Sequence, residues 1–149
     1  MKSLFVKSEN EEFITRIGKL TPQTSAVWGK MNVSQMLTHC QRPLEVAFGQ
    51  RELKQSLLGI LFGSLFKKLL TSEKPFSKSS PTDKDFIIKD TPDFDSAKNK
   101  LIELIREFEK RGPSGINYQP HPFFGKMSVE DWDRLSAKHL DHHLRQFGV

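Results

Sequence analysis

Five histidines are the residues of this chain best suited to chemistry: His39, His121, His139, His142 and His143. Three of them fall in one short phrase, KHLDHHLRQF at 138–147. On a helix that phrase offers two pairs able to share a face, His139/His143 at i, i+4 and His139/His142 at i, i+3. Helical phase separates them. At about 100° per residue from Trp132, the side chains of Leu135, Ser136, His139, His143 and Phe147 all fall within about 60° of it, on the apolar face. His142 falls on the rim of that face, and Asp141 falls opposite, toward solvent. Two inward imidazoles one turn apart either chelate a divalent ion or bury donors and acceptors that all need partners. A metal chelate and a hydrogen-bonded core pair both stand at this point.

His39 tips the choice toward metal. It lies on the inner half of an earlier helix, near the flank of the face set by Met36, Cys40 and Ala47. Pro43 has no N–H to give the carbonyl four residues back, which is that of His39, so the helix is expected to bend there and open space beside the ring. Three neutral histidines leave a fourth coordination position free, the pattern of a catalytic rather than a structural zinc. Imidazole ligation suits Zn²⁺ and Ni²⁺ alike. The expected ligands are His39, His139 and His143. His121, in the loop Pro120-His121-Pro122, is expected to fix the approach to the last helix, and His142 to stay on the rim. Cys40 diverges from His39 by about 100° and reads as a small buried core residue.

Four segments carry the helical pattern that must position these side chains. Ser8 and Glu11 read as a capping box, followed by Phe13, Ile17 and Leu20 at i, i+4, i+7 and a stop at Thr21-Pro22. A second helix opens at Asn32 with Gln35 three residues on, and runs through Met36, Cys40, Leu44 and Ala47. A third starts after Pro92, sets Phe94, Ala97, Leu101, Leu104, Ile105 and Phe108 on one face, and stops at Arg111-Gly112-Pro113. The fourth opens at Ser128 with Glu130, Asp131 and Asp133 early, favourable against the helix dipole. Between the second and third helices, Leu53 to Leu70 reads as a helix weakened by Gly59 and Gly63, then a polar loop and a short extended piece at Phe86-Ile87-Ile88. The fold class is all-α, a four-helix bundle with an inserted helix and loop. Gly29-Lys30-Met31-Asn32-Val33 and Gly125-Lys126-Met127-Ser128-Val129 are nearly one phrase, which shared capping explains better than duplication.

Composition sets the outer limits. The chain of 149 residues is 36% hydrophobic and 28% charged, as expected of one globular domain over 1–149. A single cysteine excludes a disulfide framework and a paired-cysteine zinc grid. No apolar run approaches the roughly 20 residues of a membrane span, and nothing reads as a secretory leader, so the expected location is the cytoplasm. The net charge of +5 sits in residues 1–74, thinly spread, with no basic run interleaved with aromatics, which argues against specific nucleic-acid binding. Leu57 to Leu70 with Lys67-Lys68 could lie on a membrane surface, but an apolar side is more often packed on its own bundle.

Trp28-Gly29-Lys30-Met31 followed by Gln35-Met36-Leu37-Thr38-His39, then HPFFGKMS at 121–128 and KHLDHHLRQF, resembles the DinB/YfiT-like superfamily, closest to an uncharacterised bacterial branch. The resemblance spans nearly the whole chain, and its C-terminal motif is the most specific part. It implies a four-helix bundle of up-down-down-up topology with a metal site of one histidine from the second helix and an H-x-x-x-H pair from the last. By motif these are His39, His139 and His143, the set that phase singles out. It implies a metal-dependent enzyme that activates water or a low-molecular-weight thiol such as bacillithiol or mycothiol, a hydrolase or a thiol transferase acting on a small molecule. A non-catalytic metal- or ligand-binding bundle is the alternative. No residue offers itself as a partnered catalytic base, and a homodimer is left open.

Overall fold

The computed structural model describes residues 2–52, 63, 67, 72, 74–78, 82, 84–116, 120–121 and 124–149. Among them are four α-helices, α1 Lys7–Gly18, α2 Val33–Ala47, α3 Phe94–Arg111 and α4 Val129–Gln146, with 3₁₀ turns at Lys84–Phe86 and Pro113–Gly115. The described residues hold no strand, only an isolated bridge between His121 and Gly125. The architecture is an all-helical bundle. The helix expected over 53–70 lies outside the described residues, apart from Gly63 and Lys67, which are helical.

Three of the helix starts follow their sequence signals. Asn32 Oδ1 accepts from Gln35 N at 2.8 Å and Gln35 Oε1 accepts from Asn32 N at 3.0 Å, closing the expected capping box. Asp93 accepts from Ser96 N at 2.9 Å to open α3, and Ser128 exchanges the same reciprocal bonds with Asp131 to open α4. Each such cap is worth about 1 kcal/mol. The echoed phrases behave as capping: Gly29 and Gly125 both turn the chain at positive φ, +86° and +69°, just ahead of a capping box.

The start of α1 corrects the expectation. Its N-cap is Val6, with no side-chain cap, and Ser8 lies inside the helix. Long-range contacts replace the local box. Leu4 is fully buried, its N–H donates to Asp133 Oδ1 at 2.7 Å, and Glu9 Oε2 accepts from Ser3 N at 2.6 Å. The stretch at Phe86-Ile87-Ile88 is also corrected, because Phe86 ends a 3₁₀ turn and Ile87 and Ile88 pair with no strand.

The core takes in most of the predicted faces and, beyond them, Leu37 of α2 and Leu140 and Leu144 of α4. Phe13 and Ile17 of α1, Met36, Leu37 and Leu44 of α2, Leu101, Ile105 and Phe108 of α3, and Leu140 and Leu144 of α4 are each almost wholly buried. Each such burial contributes roughly 1.5–3 kcal/mol. α2 packs on both α3 and α4, and α1 on α3 and α4. Pro43 is buried inside α2, which runs through it to Ala47. The α2–α4 contact carries the histidines. No helix among the described residues is long and apolar enough to cross a membrane.

Candidate metal centre

The inner faces of α2 and α4 bring His39, His139 and His143 together. One ring nitrogen from each lies within 4.8 Å of the others. His39 and His143 are buried and His139 is half-buried. The Nε2 atoms of His39 and His139 stand 3.0 Å apart, and the ring of His143 lies 4.7 Å from that of His39 and 4.6 Å from that of His139.

The far nitrogens of two rings are committed elsewhere. His39 Nδ1 lies 3.0 Å from the Phe86 carbonyl oxygen, which can only accept, so Nδ1 carries the proton and Nε2 keeps its lone pair. His143 Nδ1 lies 2.7 Å from Gln146 Oε1, while Gln146 Nε2 donates to the Trp28 carbonyl at 2.7 Å. His143 is therefore also Nδ1–H. Only one proton can lie between His39 and His139 Nε2, donated from the His139 side.

Burial sets the charge state. It is the first cause lowering the basicity of all three rings, taking His143 down to about 3 and His139 well below the ordinary imidazole value. Mutual repulsion among the rings adds to this for His139 and His143, and Arg42 adds to it for His39, against the Phe86 carbonyl. All three are neutral at pH 7. Neutral imidazoles are the donor set for a borderline divalent ion; His39 and His143 present lone pairs, and His139 would move its proton off Nε2 to ligate. A tetrahedral zinc with bonds of 2.0–2.1 Å would space its nitrogens by about 3.3 Å, so the shortest separation here is slightly tight and the widest about 1.5 Å loose. Three histidines placed this way, two buried and one half-buried, could hold a metal ion.

The remaining expected residues fall elsewhere. His142 is half-buried between the rings of Trp28, at 5.8 Å, and Phe76, at 5.7 Å. Lys78 Nζ sits over the Trp28 ring and Lys138 Nζ over Phe76, so His142 joins an aromatic and cationic wall beside the three histidines. His121 is buried, stacks on Phe124 at 4.4 Å, packs against Trp132, and accepts from Phe124 N through Nδ1. It shapes the approach to α4. Cys40 is buried beside the Met36 sulfur at 3.7 Å, and burial pushes its thiol far above the usual range. Asp141 is not simply solvated: it pairs with Arg16 of α1 at 2.8 Å and with Arg145 at 2.9 Å.

Phase reasoning missed Phe86 and Gln146. Gln146 had a signal, standing three residues after His143 on the same helical face. Phe86 had none, because a backbone carbonyl delivered by a loop leaves no trace in residue type.

Among the described residues, fold and site together define an α-helical bundle with a largely buried three-histidine cluster between α2 and α4. The chain belongs to a family described as protein of unknown function (DUF1569), whose profile matches residues 2–148. Comparison with curated proteins and with solved structures gave no match.

Proposed function

We propose that this protein is a metal-dependent enzyme of the DinB/YfiT-like type, a hydrolase or a thiol S-transferase, with one divalent ion, Zn²⁺ or Ni²⁺, held by His39, His139 and His143. The observation that carries the reading is the convergence of three neutral imidazoles, with ring nitrogens within 4.8 Å of one another. Membership of the DinB-like superfamily and its up-down-down-up topology are part of the same proposal, supported by the motif resemblance and the helical bundle.

Bound there, the ion would supply a Lewis acid with an open position, lowering the pKa of water or of a small thiol toward neutrality. The chain's own residues prepare that position. Phe86 and Gln146 orient the rings of His39 and His143. Trp28, Phe76 and His142 form an aromatic wall alongside, with Lys78 and Lys138 over the Trp28 and Phe76 rings.

The described residues place no carboxylate in the histidine cluster. That favours a second reading, a bundle that binds metal without turnover.

Elemental analysis of protein purified without a histidine tag tests the site. One ion per chain is expected, and none in a His139→Ala/His143→Ala double variant. Stoichiometric metal in that variant would sink the assignment. A panel of esters and of electrophiles with small thiols, run with and without chelator, then separates enzyme from binder. Bound metal with no turnover leaves the second reading.

A further inference from the structure

The last turn of α4 is tied to the loop before α2 by a chain of hydrogen bonds that ends on the histidine cluster. Gln146 is buried, with 4% of its surface exposed. Its backbone carbonyl accepts from Val27 N at 2.7 Å, and its side-chain amide bridges the Trp28 carbonyl and His143 Nδ1, both at 2.7 Å. A carbonyl oxygen can only accept, so the amide nitrogen must face Trp28 and the amide oxygen must face His143. The oxygen in turn demands a proton on Nδ1. Gly29 makes the approach feasible. A Cβ there would stand 2.4 Å from Gln146 Nε2, and its φ of +86° is one that residues with side chains rarely adopt.

We propose that Gln146 is the positioning residue of this centre, locking His143 in the Nδ1–H tautomer with its Nε2 lone pair turned toward His39 and His139, and that the Trp28 carbonyl, admitted by Gly29, fixes which way the Gln146 amide faces. This rests on the metal-centre reading for its consequence, ligand affinity, but the tautomer exists in the metal-free protein too. An acceptor behind a ligating imidazole both orients the ring and raises the basicity of its other nitrogen.

The test uses full-length protein with ¹⁵N-labelled histidine and Co²⁺ as the probe ion. Long-range ¹H–¹⁵N spectra at neutral pH, without metal, are expected to show His143 as Nδ1–H in the wild type. They are expected to show a mixture of tautomers in Gln146→Leu. Co²⁺ affinity should fall about 10–100-fold in Gln146→Leu, the usual cost of losing such a partner. Gln146→Glu keeps an acceptor for Nδ1–H and should retain the tautomer, but its second oxygen meets the Trp28 carbonyl where the amide donated, so its affinity should fall between those of wild type and Gln146→Leu. Gly29→Ala, which displaces the amide without touching it chemically, should shift the tautomer in the same direction as Gln146→Leu. Thermal melts identify any variant that fails to fold, and Gln146→Glu and Gly29→Ala then carry the comparison.

A wild-type His143 in the Nε2–H form overturns the inference, as does a Gln146→Leu protein with unchanged tautomer and unchanged Co²⁺ affinity. Wild-type protein that takes up no Co²⁺ overturns the metal reading instead, and the tautomer spectra still decide the positioning role.

Discussion

Two buried polar groups in this bundle are handled in opposite ways. At the α1–α3 contact, Asn10 is 2% exposed and donates both amide hydrogens to carbonyls, those of Leu4 and Ile105, each at 2.8 Å. At the α2–α3 contact, Gln41 likewise donates to the Ala97 carbonyl at 2.9 Å. These side chains direct their donors at backbone carbonyls inside the protein, Leu4's before α1 and two of α3 that also serve the helix itself. At the α2–α4 contact, three imidazoles turn nitrogens on one another instead. Two of those nitrogens are fixed as lone pairs by Phe86 and Gln146. The first arrangement serves the fold. The second costs the fold and leaves acceptors directed at a common point, which is what a cation would use.

The contrast predicts different responses to acid, and this is the largest effect. His39, His139 and His143 are all depressed in the folded chain, His143 to about 3, by burial first. In the unfolded chain they titrate near 6.5. Below about pH 6.5 the unfolded state therefore takes up protons that the folded state refuses. The stability present above that pH is lost as the pH falls through it, and the loss continues toward the folded values. His143, held down to about 3, contributes roughly 1 kcal/mol per pH unit across that window, and His39 and His139 add in the same direction. Against a total of about 5–15 kcal/mol that is a large fraction. Metal-free protein should lose stability progressively below about pH 6.5 when followed by circular dichroism, and saturating Zn²⁺ should move the midpoint to lower pH. A metal-free stability that is flat across this range would mean the cluster is not held neutral, and the comparison would fail at its first step.

The region around Asn10 should answer to mutation rather than to pH. Asn10→Leu leaves the Leu4 carbonyl buried without this donor, worth about 1–3 kcal/mol, while the Ile105 carbonyl loses its second bond but keeps its helical one. A loss of roughly 2 kcal/mol is expected in denaturant unfolding, with a pH profile parallel to wild type and unchanged metal stoichiometry. Loss of metal in Asn10→Leu at a temperature where the protein remains folded would show that the two regions are coupled.

How much of each region was legible follows from where its signals lie. The starts of α2 and α4 could be read because Asn32 and Ser128 cap locally, within four residues of what they bond, and that of α3 because Pro92 stands just before it. The inward turn of His139 and His143 could be read because helical phase is itself local. Ser8 misled, since the start of α1 is decided by Leu4 and Asp133, which are 129 positions apart. Asn10 gave no warning of its role for the same reason: one of its acceptors lies 95 residues away. The sequence around Phe86 reads as extended, but its carbonyl is turned by a 3₁₀ loop to meet His39 from another part of the chain. Spacing reveals which side chains a helix presents together. It is silent on which distant backbone completes them.

The smallest effect concerns the residue beside the cluster that belongs to the other class. Cys40 neighbours His39 in sequence, yet it is 1% exposed, contacts the Met36 sulfur, and has its thiol pushed well above the usual range by burial. A thiol in that state offers no thiolate to a substrate. Cys40→Ala should cost roughly 1 kcal/mol, as a small core truncation, and leave metal binding and any turnover nearly unchanged. Native protein should resist iodoacetamide until it is unfolded, while a chelator should remove any activity at once and added divalent ion restore it. Mass spectrometry of the alkylated native protein, run beside the chelator arm on one preparation, reads both. Rapid modification of Cys40 that abolished an activity indifferent to chelator would move the chemistry from the histidines to the cysteine. The thiol that looks packed like Asn10's surroundings would then be the reactive group.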